Sequence, residues 1–482
     1  MKKVFLLLAG FMLVFASCSD NDDDVIAVSG DLEVQDFIWK SMNYWYLWQE
    51  DVEDLADDRF RNNDEYESFL SRFSSPQSLF FNLCNQHINV VGESAAIDRF
   101  SFITDDYVEL LNSQQGVFKS NGVEFGLGRI TGTTNVFGYV RYIIPGSDAA
   151  TKNIQRGDAF TGVDGQTLTL DNYVNLLFGS NDTYTLNMAD ISGGVITPNS
   201  REVSLTKQEL TENPVLISTH FDVNGTKIGY VMYNAFTSNF DDELNDAFGQ
   251  LKSARVTELV LDLRYNPGGS VNSSAALASM ITGQFNGDLF LKGVWNSNVQ
   301  NRVARNTEFP SQVNGSAINS LNLTKVYILA LNSSASASEL VINGLEPHIN
   351  VIHIGDVTTG KNEFSITLFD APNADLRYRP RNFNEINPNH TYAVQPLVGR
   401  NENSIGDSDY TSGLVPDIEL KEDLSNLGVL GSQNEPLLAR AIQEITGTIS
   451  RSLISTPVIP IKEITNSKMF KPTKDNMYIE LN

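Results

Sequence analysis

Cysteine is almost missing from this sequence: Cys18 and Cys84 are the only two among 482 residues. That excludes a disulfide-stapled scaffold and a cysteine-based zinc site. Histidine is also sparse, with five residues at 87, 220, 348, 353 and 390. Their scattered spacing makes no zinc motif, so no metal and no cofactor is expected. Basic charge is in the minority, 34 Lys and Arg against 59 Asp and Glu, giving a net charge of −25. A nucleic-acid binder carries the opposite footprint, so no nucleic-acid partner is expected. Beyond the N-terminus there is no apolar run of about 18 residues, which argues against a later membrane span. Repeats and low-complexity tracts are absent as well. What is present is ordinary globular material: 41% hydrophobic and 19% charged residues in a chain long enough for two to four domains.

The first residues read as a targeting segment. Lys2 and Lys3 precede an apolar run from Phe5 to Phe15, then the small Ala16 and Ser17, then Cys18. The pattern resembles a bacterial lipoprotein signal over residues 1–17, cut so that Cys18 becomes the lipidation site. A simple secretory signal is the alternative. The resemblance implies a membrane partner through a lipid anchor, and a place in the bacterial cell envelope on the periplasmic face or the outer-membrane surface. Residues 18–30 form an acidic tether, whose Ser19 to Asp24 stretch also resembles acidic signals that send some lipoproteins of the Bacteroides group outward. Nothing in the sequence sets an oligomeric state.

Residues 31–113 read as a helical domain, with Phe37, Met42, Tyr44, Trp45, Tyr46, Leu47 and Trp48 crowded together and Tyr66, Phe69, Leu70 and Phe73 at helical spacing. Residues 114–205 are richer in glycine and in short alternating runs. The strings Phe125-Gly126-Leu127-Gly128, Pro145-Gly146-Ser147-Asp148-Ala149-Ala150 and Arg156-Gly157-Asp158 to Val163-Asp164-Gly165 resemble, in order, a PDZ domain. Such domains add an extended peptide as a strand and clasp its terminal carboxylate with backbone N–H groups. On that resemblance Phe125, Gly126, Leu127 and Gly128 form the clasping loop. A generic β-rich domain with glycine-turned corners is the plainer alternative. Residues 206–440 alternate strands and helices, which predicts a mostly parallel sheet with covered faces. The strands are read at 227–233, 258–264, 326–331 and 351–355, and the helices at 240–251 and 273–281. Residues 441–482 form a tail to which the sequence assigns no role. The fold class expected is a multidomain α/β protein: an N-terminal helical domain, a PDZ-like β-rich domain and an α/β core.

Within the core, Asn332-Ser333-Ser334-Ala335-Ser336-Ala337-Ser338-Glu339 joins the strand at 326–331 to an apolar helix. A hydroxyl at a helix N-terminus faces free N–H groups and a dipole that favour developing negative charge. The same Ser336-x-x-Glu339 spacing fits a helix capping box. Four serines, 333, 334, 336 and 338, compete for the nucleophile's place, and spacing alone does not choose. Lys361 follows the strand at 351–355, and serine with a lysine base is an alternative to Ser-His-Asp. A third loop, Asp262-Leu263-Arg264-Tyr265-Asn266-Pro267-Gly268-Gly269, also follows a strand. In a parallel sheet all three loops lie on one edge, where α/β sites form. N–H groups of Gly268 or Gly269, with that of Ala337, could make an oxyanion hole.

Asp98-Arg99-Phe100-Ser101-Phe102, the PDZ strings, the 262–269 loop, Ser334 to Glu339, Thr358-Thr359-Gly360-Lys361-Asn362 and Gly413 to Ile418 occur in one order. Together they resemble the carboxyl-terminal processing (tail-specific) serine peptidases, peptidase family S41, whose core is ClpP/crotonase-like. The resemblance implies Ser336 as nucleophile, Lys361 as base and polypeptide substrates chosen through unstructured C-termini. Three positions depart from the pattern. Ser365 stands where many members carry a glutamine that orients the lysine, and Arg99-Phe100 replace a common proline and histidine. A free lysine titrates near about 10.4, so a base useful near neutrality must be held lower by roughly 4 kcal/mol, which burial among groups such as Val357, Phe364 and Ile366 would supply. The competing expectation is a non-hydrolytic peptide-binding or scaffold lipoprotein on the same fold.

Overall fold

The computed structural model describes residue 28 and residues 30–447, 463–474 and 477–479. Cys18, the leader and most of the acidic tether lie outside the described residues. The chain is a mixed α/β protein of several layers: a helical N-terminal region, a β-rich domain and an α/β core.

The N-terminal region opens on the helix Glu33–Trp45, whose Phe37, Ile38, Trp39, Met42 and Trp45 are all buried. That face packs on the helix Pro76–Leu83 and joins the same hydrophobic cluster as the core domain. The crowded aromatics are therefore packing residues. Trp39 meets Phe60 and Tyr66 edge-on, and Trp45 lies beside Trp295 of the core. Asp98, buried at the end of this region, accepts hydrogen bonds from Tyr46 Oη at 2.7 Å and from the amides of Phe100 and Ser101.

The β-rich domain is an antiparallel sheet running through Val123–Arg129, Val136–Ile143, Ala159–Val163, Thr183–Ser192 and Val195–Thr206, with the short helix Tyr173–Phe178 packed on its own hydrophobic cluster. Phe125, Gly126, Leu127 and Gly128 do not form a loop, as the sequence suggested. They are the middle of the Val123–Arg129 strand. The glycines are there because a Cβ at Gly126 would meet the Tyr139 ring at 2.4 Å and one at Gly128 the Phe137 ring at 2.6 Å. The outer edge of this strand is covered by residues Glu463–Asn466 from the far C-terminal end of the chain, in antiparallel register.

The core sheet has the order Val215–Val223, Thr226–Tyr233, Glu258–Asp262, Lys325–Ala330, Asn350–Gly355 and Ile418–Glu419; the first pair is antiparallel and the rest are parallel. Helices Asp241–Ser253, Val271–Thr282 and Ala337–Leu345 cover one face, and Pro436–Thr446 packs on the other. The last helix runs through the division expected at 440 and stops at Gly447, which takes the left-handed conformation of a C-terminal cap. A further sheet lies beside the core in the order Gly269–Ser270, Met477–Tyr478, Glu363–Ser365, Leu397–Asn403, Leu289–Trp295 and Asn306–Glu308. No helix among the described residues is long and apolar enough to cross a membrane.

Candidate active site

Three adjacent parallel strands end together, at Asp262, Ala330 and Gly355. The loops that follow them carry Gly268, Ser336 and Lys361 respectively. The topology thus brings to one edge the three motifs that are far apart in sequence.

The first loop is held by a fully buried arginine. Arg264 pairs with Asp262 at 2.8 Å and with both oxygens of Glu435 at 2.6 and 2.9 Å. A buried guanidinium keeps its charge only with such partners, and they fix the backbone on either side. The loop then turns through Gly268 at φ +107° and Gly269 at φ +139°. Neither position tolerates a side chain. A Cβ on Gly268 would sit 2.5 Å from Ser336 Cβ, and one on Gly269 only 2.2 Å from the Phe236 carbonyl oxygen.

The serine turn separates its four hydroxyls. Ser333 donates to Arg264 O, Ser334 to Leu263 O and Ser338 to Asn266 O, each at 2.8 to 3.0 Å. Those three bind the turn to the arginine loop. Ser336 Oγ is buried and has no hydrogen-bond partner among the described residues. Its backbone sits at φ +65°, ψ −119°, a region that a residue with a Cβ occupies at a cost of about 1–3 kcal/mol and that concentrates at functional sites. The capping box is kept in outline, but only its glutamate half is a formed hydrogen bond, Ser336 N to Glu339 Oε2 at 2.7 Å. Geometry therefore separates four serines that spacing leaves alike.

Glu339 does more than cap. Its buried carboxylate accepts from Ser336 N and from Lys361 N on one oxygen, at 2.7 and 2.9 Å. The other oxygen accepts from Gly360 N at 2.6 Å and from the Thr358 hydroxyl. One side chain thus clamps the serine turn to the lysine loop. Burial lifts this carboxyl to about 7, against the four hydrogen bonds, which pull it down. Its clamping role was hidden in the sequence, where Glu339 read only as a capping residue.

Lys361 is buried at 1% exposure, with Nζ 4.8 Å from the centre of the Phe100 ring. It lies within electrostatic reach of the buried Glu363. Phe364 and Ile366 nearby are fully buried, while Val357 is half-buried. Arg99 donates to Gly360 O and, at 2.9 Å, to Thr411 O. Arg99 and Phe100 thus grip the lysine loop, and Asp98 sets their turn. Glu363 and Tyr410 are buried nearby, and burial raises both. Ser365 Oγ contacts Gln395 Oε1 at 3.1 Å and Met477 O at 3.2 Å.

The amide expectations separate. Gly268 N donates to Asn266 Oδ1 at 2.9 Å, so in this conformation its N–H is engaged within its own turn and is not an oxyanion donor. Ala337 N opens the Ala337–Leu345 helix on the Gly268 side, 3.0 Å from where a Gly268 Cβ would stand. Of the histidines, His353 is buried in its strand with Nε2 at 3.2 Å from Ala330 O, and burial lowers its affinity for a proton. No group of three or more potential metal ligands occurs among the described residues.

Two family models match the chain: peptidase family S41 over residues 227–383 and the peptidase S41 N-terminal domain over residues 33–102. Both matched stretches are those of peptidase family S41. It is similar to the carboxyl-terminal-processing protease of Synechocystis sp., 28% identical over 45% of this chain and 48% of that one. It is also similar to the chloroplastic C-terminal processing peptidase of Tetradesmus obliquus, 29% identical over 45% and 46%. The matches span about half the length of these relatives. Among solved structures, a Bacteroides fragilis protein assigned to the S41 proteases superposes with a TM-score of 0.65 at 24% identity, covering 86% of this chain and 97% of that one. The photosystem II D1 C-terminal processing protease gives 0.50 at 18% identity over 86% and 97%. At those identities the likeness is one of fold.

Proposed function

We propose that this chain is an S41 serine endopeptidase acting through a Ser336–Lys361 dyad. One observation carries the reading: of four serines in the turn, Ser336 alone has an unengaged hydroxyl, on a strained backbone tied through Glu339 to the lysine loop. In this mechanism Ser336 Oγ attacks the scissile carbonyl carbon as its proton passes to the neutral Lys361 amine. The Ala337 and Gly269 amides face the resulting oxyanion, each donor worth about 10²–10³ in turnover. Collapse breaks the C–N bond, and the lysine proton goes to the departing amine. Water, deprotonated by the same lysine, then releases the acyl group and returns the proton to Ser336.

Substrates in this reading are polypeptides with unstructured C-termini, received on the β-rich domain as a PDZ-like domain receives a strand. The relatives' names, which describe C-terminal processing, support that substrate class. Cys18 would carry the lipid that holds the protein in the cell envelope. Fractionation of a Cys18→Ser variant tests the anchor: loss from the membrane fraction is expected.

The catalytic reading is tested with Ser336→Ala and Lys361→Ala on an unfolded polypeptide. Both should lose hydrolysis by about 10³-fold or more, and a serine-reactive phosphonate should label Ser336 in the wild type only. Equal cleavage by all three proteins would reject it. A non-hydrolytic peptide binder would instead leave no activity to lose.

A further inference from the structure

The far C-terminal end of the chain lies where a peptide ligand would. Glu463–Asn466 pairs antiparallel with the Val123–Arg129 strand, Glu463 opposite Gly128 and Asn466 opposite Gly126. Ser467 Oγ accepts from Phe125 N at 3.0 Å and donates to Glu124. Phe470 stacks on Phe178 with ring centres 3.7 Å apart, against the helix that forms the other wall of the groove. Lys471 Nζ pairs with Glu124 at 2.7 Å and Glu212 at 3.4 Å, over the Phe118 ring. A strand edge, an aromatic face and an acidic seat are all filled by twelve residues of this same chain. This is the β-augmentation mode of peptide recognition, met in cis.

The segment then reaches the candidate active site. Lys468 Nζ donates to Asn234 O at 2.8 Å and to Tyr265 O at 3.0 Å, in the loop that carries Gly268. A cavity of about 300 Å³ has Pro267, Ser333 and Thr359 on the site side and Lys468 and Met469 on the segment side. Further on, Met477–Tyr478 is inserted between Gly269–Ser270 and Glu363–Ser365, in parallel register with both. Met477 stands opposite Gly269, the residue whose amide faces the oxyanion in the mechanism above. The strand slot between the glycine loop and the lysine strand is therefore occupied from the chain's own end.

From this we infer that residues 463–474 are an intramolecular occupant of the peptide groove, and that the resting chain is self-blocked until a polypeptide displaces them. The contacts are those of a ligand. Pairing is short, the anchor is an ion pair, and Phe470 remains 39% exposed. The activity arm of the test rests on the peptidase reading; the binding arm does not.

The test uses full-length protein and a labelled synthetic peptide with the sequence of residues 463–474. In a Ser336→Ala background, Lys471→Glu sets a carboxylate against Glu124 and Glu212 and should expel the segment. Anisotropy should then show the peptide binding the Lys471→Glu protein at least about 10-fold more tightly than the parent, because an occupied groove scales affinity by its free fraction. Phe470→Ser should act in the same direction by a different contact. Saturating peptide should restore any melting temperature that either variant loses. Equal peptide binding to parent and variants would overturn the inference. So would variants that lose stability without recovering it on peptide addition, which would make the segment a fixed strand. With Ser336 intact, Lys471→Glu should hydrolyse unfolded polypeptide several-fold faster than wild type, and unchanged hydrolysis by an active enzyme would likewise overturn the block. No hydrolysis by any form, together with the expected peptide binding, would sink the peptidase reading and leave the self-occupied groove standing.

Discussion

Replacing Glu339 by Gln isolates the charge of the clamp from its shape. In the wild type the carboxylate meets four donors, two on each oxygen. Burial without a neutralising partner raises this carboxyl from 4.5 to about 7. A raised folded value means the group stabilises the fold below about 4.5 and loses that contribution as pH climbs through about 7. The full swing is about 3 kcal/mol. Glutamine has no such swing, but its NH₂ must face two of the donors. The better orientation sets it against Thr358, whose hydroxyl can turn to accept, and leaves the Gly360 amide unpaired at a cost of about 1–3 kcal/mol. At pH 8 relief of the buried charge and loss of one hydrogen bond nearly offset, so the variant should be within about 2 kcal/mol of wild type. At pH 5 the wild type should pull ahead by about 2.5 kcal/mol more, most of the full swing. Urea unfolding of both proteins at the two pH values measures this directly. Turnover should fall by at least about 10-fold, because release of Gly360 shifts the lysine loop. Wild-type turnover should itself decline as pH drops through about 7, since protonation puts a hydrogen where a donor must be received. Parallel stability curves for the two proteins, or unchanged turnover in the variant, would refute the clamp.

Ser336→Gly should abolish hydrolysis yet raise stability by about 1–3 kcal/mol, because glycine adopts φ +65° without strain; thermal melts against Ser336→Ala, which keeps its Cβ, provide the comparison. Gly268→Ala places a methyl 2.6 Å from Ser336 Oγ in a positive-φ turn, so activity should be lost and the melting temperature lowered, and retention of both would show that the loop is free to move. Arg99→Ala removes two hydrogen bonds to carbonyls around Lys361, so kcat should fall several-fold with KM little changed, at a stability loss of about 1–2 kcal/mol; a change confined to KM would instead assign Arg99 to substrate binding.

The core fold was legible because its local signals agree with its topology. Buried parallel strands are short apolar runs, and the strand read at 326–331 is observed as Lys325–Ala330. The helix read at 240–251 is Asp241–Ser253, with its apolar stripe on the sheet. Alternation of strand and helix by itself puts the three loops on one edge. The string Phe125 to Gly128 misled, because glycine marks a turn and a close approach alike, and only the rings of Tyr139 and Phe137 tell which. The tail gave no signal, since a short strand that pairs across more than 300 residues carries no periodicity of its own.

Sequence by itself determined that a serine-bearing turn, a glycine pair and a lysine would meet at a sheet edge, since strand order and loop position follow from local pattern. Which serine keeps an unengaged hydroxyl was a tertiary decision. Ser333, Ser334 and Ser338 are consumed by carbonyls of a loop about 70 residues away, and Ser336 is left with its hydroxyl unengaged. The same holds for Glu339, whose four donors come from two loops, and for the C-terminal segment in its groove. Hydrogen bonds between distant segments depend on where folding puts each partner, and no spacing along the chain encodes that.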